Sequence, residues 1–572
     1  MEERPHSTGL PSTDRPWMQF YRKEHVEGTW PKGSIYECLK ASNEAYPDDV
    51  ALLYYYKKIT FGELFDRIDE CARALIAAGV RRNDIVTIAM PSTPEAVYLL
   101  YAVNKIGAIS NMIHPLPSVK ETQYYLNEVK SRLFIMFTGT YAMMKNSLEG
   151  TSVEKAVVVS PTQSLSPVIR GLYALKDSSE RIKETQTVVS WKTFIRKGKA
   201  VSLPSVQKAD NDWAVISHTG GTTGTPKGVV CTNDSIMALS YSLAVDTSFE
   251  RQGCMMTVLP PFVNASLVNT TIAALSYGYK NLLIPKYDPA KFIDYVSRYK
   301  VGYTMLIPAY FEVLLQQPSR PDSLSTLRML ASGGERLDAE VERAANEKIK
   351  ECGATIKVTK GIGLTEMTSS ATLSIQGSRC NVEGSVGIPH VNVNCKIADV
   401  EAGKELTYGE EGEVCFAGPT MMAGYYHDQE ATDAMIKTDE NGTRWLHTGD
   451  LGYLTEDGVL FVSGRMKRLL MQRDDHGVVS KVFPDRIESV VSRHPSVAAC
   501  SVIGVHDDRR INVTKAFVEC KKGTDASRAR DEVMEYCREQ LPGYMVPADV
   551  VVLPSLPRTS RGKVDYRALE AL

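Results

Sequence analysis

The stretch from Ser217 to Gly228 reads SHTGGTTGTPKG and directly follows the apolar run Trp213–Ile216. Its glycines allow backbone N–H groups to approach phosphate oxygens, its threonine hydroxyls add donors, and Lys227 adds a positive charge. The lysine does not stand at the spacing of a Walker A loop. A plain Gly/Thr surface loop is the alternative, but this density of Gly and Thr after a strand favours a phosphate-binding loop.

The residues before this loop alternate between helix and strand patterns. Thr60 and Glu63 form a capping-box pair at the start of an amphipathic helix. The run Asp84–Met90 has the continuous apolar pattern of a buried strand, and Thr93 with Pro94 suits the start of another helix. This alternation predicts an α/β fold in which helices pack on sheets. Residues 168–204 mix charges with weak periodicity, and we interpret them as a surface excursion.

The pattern restarts near Arg465. The segment Gly452–Gly464 is typical of a hairpin that turns at Asp457-Gly458. Beyond it lie patterns that suit a small α+β domain, with strands at 497–505, 513–520 and 550–553 and a helix at 529–541. We therefore predict a large N-terminal domain of sheets packed with helices, residues 1–465, and a small mobile α+β domain, residues 466–572.

Charge and cysteine usage narrow the class of protein. Lys and Arg total 66 against 68 Asp and Glu, so the formal net charge of -2 leaves no basic excess for nucleic acid. The 11 cysteines form no Cys-x-x-Cys pair, which favours a reducing, cytoplasmic location. The polar segment Met1–Gln19 lacks the apolar core of a signal peptide, and no apolar run is long enough to span a bilayer.

Further motifs follow the glycine-rich loop in a fixed order, and together they resemble the ANL adenylate-forming enzymes, which include acyl-CoA synthetases, nonribosomal peptide adenylation domains and firefly luciferases. The resemblance runs from about Thr60 to the C-terminus, and it is closest to a stand-alone acyl-CoA synthetase. After the loop, the motifs that carry it are Ser332–Glu335, Gly363–Glu366, Gly384–Gly387 with Pro389, Trp445–Asp450, Gly464-Arg465, Leu541–Pro547 and Leu556–Lys563.

The resemblance implies an ATP-dependent ligase that joins a carboxylic acid to AMP and then to a thiol. It assigns ATP or AMP binding to Thr219, Gly220, Gly221, Thr222, Thr223, Gly224, Lys227, Gly333, Gly334, Glu335, Gly363, Leu364, Thr365, Asp450 and Arg465. Within this set, Asp450 would accept hydrogen bonds from the ribose. Glu366 would bind Mg²⁺, a hard cation that prefers oxygen ligands, and act in catalysis. Lys563 would bridge the substrate carboxylate and an α-phosphate oxygen, so it is the predicted catalytic lysine.

The family alternates between two domain arrangements, and the position that matches its hinge is Lys467. The acyl pocket is assigned to Phe262, Val263, Asn264 and Ile362. Val263 replaces a histidine common in acyl-CoA synthetases, and Ile362 replaces an aromatic residue that stacks on adenine in many relatives. The segment also lacks the aspartate of amino-acid-adenylating relatives, so an uncharged acyl or aryl substrate is favoured. Simple core packing of Phe262 and Val263 remains an equal alternative.

Residues Gln472–Lys481 make the loop after Arg465 longer than in the family, and this leaves the identity of the thiol acceptor open. The leading prediction is a carboxylic acid–CoA ligase of fatty acid metabolism that uses ATP, Mg²⁺ and CoA. Few residues follow Lys563, which leaves no room for a fused carrier domain. The alternatives are a ligase that loads a separate carrier protein and a nucleotide-binding regulator without activity. The presence of Glu366 and Lys563 argues against the regulator.

Overall fold

The computed structural model describes residues 8–116, 118–165, 169–171, 182–206, 209–219, 226–468, 470–473, 479–482, 484–521, 523–558 and 564–572. None of the helices in these segments is long and apolar enough to cross a membrane. All 11 cysteines lie in these segments, and each is a free thiol.

The first large sheet carries the segment that ends at the glycine-rich loop. In the described chain its strand order is Gly424–Tyr425 (β19), Gly228–Thr232 (β9), Trp213–His218 (β8), Ile109–Met112 (β4), Ile85–Ala89 (β3), Leu133–Phe137 (β5), Lys155–Val159 (β6) and Val188–Ser190 (β7). The strands from β8 to β7 run parallel, whereas β9 and β19 are antiparallel to their neighbours. The predicted strand at 84–90 is therefore a buried central strand.

A second sheet of similar design follows. Its order in the described chain is Thr359–Lys360 (β14), Met329–Ser332 (β13), Tyr303–Leu306 (β12), Cys254–Thr257 (β10), Lys280–Leu283 (β11), Val50–Tyr54 (β1) and Lys57–Thr60 (β2). Only β2 is antiparallel to its neighbour. Since parallel strands need crossovers, each long connection carries helices that cover the sheet faces.

Helices cover these sheets, and several of them begin at a local start signal. In the N-terminal part they are 11–14 (α1), 23–26 (α2), 35–43 (α3), 61–77 (α4), 94–105 (α5), 119–128 (α6), 138–144 (α7), 191–198 (α8), 233–247 (α9), 273–276 (α10), 292–299 (α11), 308–315 (α12), 339–351 (α13) and 429–435 (α14). Both halves of the Thr60–Glu63 capping box form at the start of α4. Thr93 caps α5, with Pro94 at its first position, as predicted.

A third, antiparallel unit joins the two large sheets to the C-terminal part. It contains Asn394–Ala398 (β17), Gly412–Ala417 (β18), Ile436–Thr438 (β20), Arg444–Leu454 (β21) and Leu460–Arg465 (β22), beside the short pair Thr372–Leu373 (β15) and Ile388–Pro389 (β16). Strands β21 and β22 form the predicted hairpin, and Gly458 has a φ of +84° at its turn.

The C-terminal part has its own sheet and its own core. Its elements are Leu470–Arg473 (β23), Val479–Val482 (β24), Pro484–Val491 (α15), Val497–Asp507 (β25), Ile511–Cys520 (β26), Ala526–Gln540 (α16), Asp549–Leu553 (β27) and Tyr566–Glu570 (α17). The described hydrophobic clusters on this side contain residues from 470 onward only, and the other clusters stop before 465. The fold class is therefore α/β with a small α+β part, as predicted.

Two features differ from the sequence interpretation, and a third, the packing of Trp17, was not predicted. The described residues from 182 to 204 are more than a surface excursion, because β7 extends the first sheet and α8 buries Phe194 against the core. The described ends of the segment Gln472–Lys481 belong to strands, because β23 pairs with β24, and residues 474–478 lie outside the described part of the chain. The polar N-terminal segment contributes Trp17, which is 0% exposed and packs against the turn at Gly458. In each case tertiary packing overrode weak local periodicity.

Candidate active site

The candidate site lies at the carboxyl ends of the parallel strands β4 and β8. In the described residues, the base of the glycine-rich loop is closed by two hydrogen bonds. The Thr219 N–H donates to the Lys227 carbonyl at 3.0 Å, and the Lys227 N–H donates to Thr219 Oγ1 at 3.1 Å. Gly220, Gly221, Thr222, Thr223 and Gly224 lie outside the described residues. The two hydrogen bonds therefore fix the points at which the chain leaves β8 and returns to β9.

Tyr425 connects the loop base to the predicted metal ligand. Its hydroxyl donates to Glu366 Oε1 at 2.7 Å, and Lys227 Nζ lies 4.9 Å from the centre of its ring. Burial, followed by the negative charge of Glu366, raises the pKa of Tyr425, which keeps the phenol protonated as a donor. Lys227 Nζ is also 3.9 Å from Asp428. A cation, a phenol and a carboxylate therefore converge beside the loop.

Glu366 is held by a tight turn. It lies in the 3₁₀ helix Thr365–Met367 and is 9% exposed, and its carbonyl accepts from the Met422 N–H at 2.8 Å. Gly363, just before this turn, pairs with Ser370, and a Cβ at Gly363 would stand 2.1 Å from the Ser369 carbonyl oxygen. Any side chain at position 363 would clash with this carbonyl, which explains why the residue is a glycine. Leu364 and Thr365 are half-buried at the same turn.

Asp450 is the buried acid of the site. It is 3% exposed on β21, opposite Arg465 on β22, and Arg465 Nε contacts Asp450 Oδ1 at 2.8 Å. Burial raises the pKa of Asp450 to about 6. Arg465 lowers this pKa, and the charges of Asp485, Glu366 and Glu413 raise it. Oδ2 has no hydrogen-bond partner among the described residues. This oxygen can therefore accept a hydrogen bond from a ligand, for which a ribose hydroxyl is a suitable donor.

Gly333, Gly334 and Glu335 directly follow β13, at the edge of the second sheet. Gly334 and Glu335 are exposed, and Gly334 has a φ of +88°, which a glycine adopts without strain. A Cβ at Gly333 would lie 3.2 Å from Met305 Sδ. These residues form an open edge that a planar base can approach. Their predicted role in nucleotide binding stays a prediction.

The predicted acyl-pocket residues divide between two places. Phe262 and Val263 are half-buried, and Asn264 is buried with its Oδ1 accepting from Ser217 Oγ. A small cavity lies beside this segment, and its described lining contains no charged residue: Ser92, Thr93, Ala96, Val97, Leu100, Met112, Pro261, Leu267, Thr271 and Leu283. Ile362 instead borders the hydrophobic cluster that contains Trp17 and Met367. Phe262, Val263 and Asn264 thus adjoin an apolar cavity, whereas Ile362 lies in a different environment.

The C-terminal side begins at the predicted hinge. Lys467 belongs to the short helix Met466–Arg468. Arg468 donates to Glu488 Oε1 at 2.6 Å and to the Val502 carbonyl at 2.9 Å, and it pairs with Asp485. The Arg465 N–H donates to Asp485 Oδ2 at 3.0 Å. The residues on both sides of Lys467 are therefore tied to helix α15.

The catalytic lysine predicted from the sequence, Lys563, lies outside the described residues. The segments that flank it close on each other, because Arg558 pairs with Val564 and the Asp565 N–H donates to the Pro557 carbonyl at 2.8 Å. Arg558 also lowers the pKa of Glu312 on α12, against the larger effect of burial, which raises it. The guanidinium of Arg558, in the C-terminal part, thus lies close enough to the N-terminal part to act on the Glu312 carboxyl.

Sequence reasoning missed Tyr425. It belongs to no motif singled out above, and a Gly-Tyr-Tyr run carries no nucleophilic or metal-binding signature of its own. Its role becomes visible only because β19 pairs with β9, the strand that leaves the glycine-rich loop. The pairing of Gly424 with Val230 brings the phenol to the loop and to Glu366.

Comparison with known proteins finds acid–CoA ligases among the relatives of this chain. The chain is 28% identical over 527 residues to a probable 4-coumarate–CoA ligase of Dictyostelium discoideum, with 91% of each chain covered. It is 27% identical over 565 residues to a long-chain-fatty-acid–CoA ligase of Bacillus subtilis, covering 97% of this chain and 98% of the other. The ATP-bound MatB structure from Rhodopseudomonas palustris, 22% identical, shares the fold with a TM-score of 0.80 over 94% of this chain and 98% of that one.

Two family models match in succession. The model for the AMP-binding enzyme covers residues 39–426, and the model for the AMP-binding enzyme C-terminal domain covers residues 486–563. The predicted boundary at 465 falls between these matches and stays a prediction. Because the first model alone covers more than half of the chain, the protein belongs to the AMP-binding enzyme family, the adenylate-forming acid–thiol ligases.

Proposed function

We propose that the protein is an ATP-dependent carboxylic acid–CoA ligase. In the first half-reaction the acid's carboxylate oxygen attacks the α-phosphorus of ATP, and the bond to pyrophosphate breaks. In the second half-reaction the CoA sulfur attacks the acyl carbon and AMP leaves, while the thiol proton passes to solvent. Two anions meet in the first step, so positioning and charge neutralisation carry the catalysis.

One observation carries the proposal: the glycine-rich loop meets two further motifs, those of Glu366 and Asp450, with Tyr425 between them. Lys227 contacts the Tyr425 ring, Tyr425 donates to Glu366, and Glu366 lies close enough to Asp450 for its charge to raise the pKa of Asp450. We assign phosphate binding to Thr219 and Lys227, with Gly220–Gly224, and ribose binding to Asp450 with Arg465. Gly333–Glu335 and Gly363–Thr365 would border the nucleotide.

Glu366 has the properties of a Mg²⁺ ligand. It is a nearly buried carboxylate beside the loop, held in place by the Tyr425 phenol, and Mg²⁺ is bound in nucleotide sites by one or two carboxylates together with phosphate oxygens. Mg²⁺ would neutralise phosphate charge there. Tyr425 keeps the Glu366 carboxylate facing the loop base, and Lys563 would neutralise charge at the reacting oxygens.

The acid is expected to carry an uncharged acyl or aryl group. The cavity beside Pro261 has no charged residue in its described lining, and a buried carboxylate or ammonium without a partner would be costly there. Relatives named for 4-coumarate and for long-chain fatty acids support both possibilities. A panel of short, medium, long-chain and aromatic acids separates them.

The test measures pyrophosphate release and thioester formation separately. Wild type with ATP, Mg²⁺ and an acid from the panel should release pyrophosphate, and added CoA should yield acyl-CoA. Lys563→Ala should lose about 100-fold or more in pyrophosphate release, yet still transfer the acyl group from supplied acyl adenylate to CoA. Lys521→Ala, a change at another lysine of the C-terminal part, is the matched control and should retain both reactions.

Three outcomes would contradict the proposal. Normal pyrophosphate release by Lys563→Ala would remove the assigned role of that lysine. The absence of acid-dependent pyrophosphate release by wild type across the panel would favour a nucleotide-binding regulator. Acyl transfer to a purified carrier protein, with none to CoA, would move the acceptor to the pantetheine arm of a separate carrier.

A further inference from the structure

Three side chains with metal-binding atoms meet on one face of the antiparallel unit. Glu413 and Cys415 are two residues apart on β18, and Cys415 lies opposite His447 on β21. Residues two apart on a strand share a face with the residue directly across. One ligand atom from each of the three side chains lies within 4.8 Å of the other two, and among the described residues no other group of His, Cys, Asp or Glu does so.

The spacing of these atoms is close to that of a tetrahedral metal site. His447 Nδ1 lies 3.4 Å from Cys415 Sγ and 2.7 Å from Glu413 Oε2. A tetrahedral Zn²⁺ would hold its sulfur and nitrogen ligands about 3.5 Å apart, and its nitrogen and oxygen ligands about 3.3 Å apart. The sulfur and the nitrogen therefore already have the required separation, and the half-buried Glu413 carboxylate must withdraw by about 0.6 Å.

The three donor atoms are of the kinds that Zn²⁺ prefers. Thiolate sulfur, imidazole nitrogen and carboxylate oxygen all bind Zn²⁺, whereas Mg²⁺ and Ca²⁺ take oxygen ligands. Burial, followed by the charge of Glu413, raises the pKa of the Cys415 thiol. The thiol must therefore release its proton to solvent when the sulfur–metal bond forms, and the neutral His447 ring keeps its one proton on Nε2. Thiolate and carboxylate then balance the two positive charges.

Solvent reaches the cluster from the side of His447 and Glu413. Their side chains are 15% and 14% exposed, whereas Cys415 is 0% exposed. Structural zinc sites have four protein ligands, so three ligands leave one position for water. This arrangement suits a cation that exchanges with solvent.

The cluster also adjoins the residue assigned above to ribose binding. Glu413 Oε1 accepts from the Gly449 N–H at 3.0 Å, and the charge of Glu413 raises the pKa of the neighbouring Asp450. The register of β18 against β21 shifts at this point, so Gly449 and Asp450 lie in a bulge that Glu413 anchors. A cation bound to Glu413 would therefore change the charge beside the nucleotide site.

We propose that Glu413, Cys415 and His447 form an exchangeable binding site for Zn²⁺, with Oε2, Sγ and Nδ1 as the ligand atoms. The site is separate from the Mg²⁺ position proposed at Glu366. It goes beyond the ligase reaction and does not depend on it, because no atom of the acid or of CoA takes part.

The test uses Co²⁺ as a spectroscopic substitute for Zn²⁺ in the metal-free, full-length protein without nucleotide. A thiolate ligand gives Co²⁺ an ultraviolet charge-transfer absorption that oxygen ligands do not give. Wild type should show this absorption, and Zn²⁺ but not excess Mg²⁺ should remove it. Cys415→Ser should abolish it and weaken Zn²⁺ binding in calorimetry by about 100-fold, and His447→Gln should weaken binding by about tenfold or more.

A second thiol provides the matched control. Cys520→Ser removes a half-exposed cysteine of the C-terminal part and should retain both the absorption and the Zn²⁺ affinity. If His447→Gln does not fold, Cys415→Ser, which replaces one atom, decides the question alone.

Two results would overturn the inference. The absence of thiolate absorption in wild type would show that the three side chains only form hydrogen bonds with one another. Absorption that survives in Cys415→Ser, or that disappears in Cys520→Ser, would place the metal on another thiol. Neither readout involves pyrophosphate release or thioester formation, so failure of the proposed ligase function would leave this test unaffected.

Discussion

At the scale of single residues, the least usual group is Asp450. A carboxylate that is 3% exposed would normally be fully paired, yet among the described residues only Oδ1 meets a partner, the largely exposed Arg465. Burial outweighs this arginine, and the pKa of Asp450 rises to about 6. The site therefore holds an acid whose protonation changes within an accessible pH range. A ribose hydroxyl that donates to Oδ2 would stabilise the charged form.

This raised pKa predicts a pH dependence of nucleotide binding. Above pH 6 the Asp450 carboxylate accepts hydrogen bonds from ribose, and below pH 6 its protonated form loses acceptor capacity. ATP affinity should therefore fall by about tenfold as the pH is lowered from about 7.5 to about 5, as measured by titration calorimetry. Asp450→Asn should bind weakly and show a flatter profile. An equal slope in wild type and Asp450→Asn would contradict the assignment.

At the scale of secondary-structure elements, helix α5 buries an acid at its first turn. Glu95 is 1% exposed; Ser164 Oγ donates to its Oε1, and its Oε2 has no hydrogen-bond partner among the described residues. Burial raises the pKa of Glu95 to about 7, and the Ser164 hydrogen bond opposes this shift. The helix N-terminus offers some compensation for a negative charge. The helix therefore packs best when this acid is protonated.

Glu95→Gln should remove a pH-dependent loss of stability. The folded pKa lies above the unfolded value of about 4.5, so the contribution of Glu95 to stability is greatest below pH 4.5 and falls until the pH passes about 7. At pH 8 the variant should be more stable than wild type by on the order of 2–3 kcal/mol, and near pH 5 the two should be similar. Urea unfolding at both pH values measures this difference. Glu347→Gln, at an exposed position on α13, should change neither value.

At the scale of the whole molecule, the short helix Met466–Arg468 joins two parts with separate cores. Arg468 is bound to Glu488 and Asp485, and the Arg465 N–H reaches Asp485 across the same segment. Any rotation of the C-terminal part must change backbone dihedrals within these few residues. Lys467 stands at the centre of that segment, which is where a hinge would concentrate the change.

Restricting this segment should separate the two half-reactions. Lys467→Pro fixes one φ angle and removes a backbone N–H, whereas Lys467→Ala keeps the freedom of the chain. Thioester formation by Lys467→Pro should fall by about tenfold or more, while pyrophosphate release changes by less than about threefold. Lys467→Ala should remain near wild type in both. An equal loss in both half-reactions would argue against a hinge at Lys467.

Much of the local structure could be predicted from the sequence. The Thr60–Glu63 capping box, the buried strand at 84–90, Thr93 before α5 and the hairpin at Gly458 all depend on neighbours within a few residues. The ordered motifs that predicted the family are also local, because each is a short segment in which the backbone conformation restricts the residues allowed. Gly363 illustrates this, since the close Ser369 carbonyl leaves no room for a side chain.

Only the tertiary structure decided which of these segments meet. The contact of Tyr425 with Glu366 depends on the pairing of β19 with β9, and that of His114 with Phe262 depends on how the two large sheets pack. Burial of Trp17 against Gly458 and the raised pKa values of Asp450 and Glu95 have the same origin. By itself, the sequence determined local backbone form and the set of chemical groups. The distances between these groups, their burial and their dielectric environment depend on segments far apart in the chain. They are therefore set only when the sheets pack against each other.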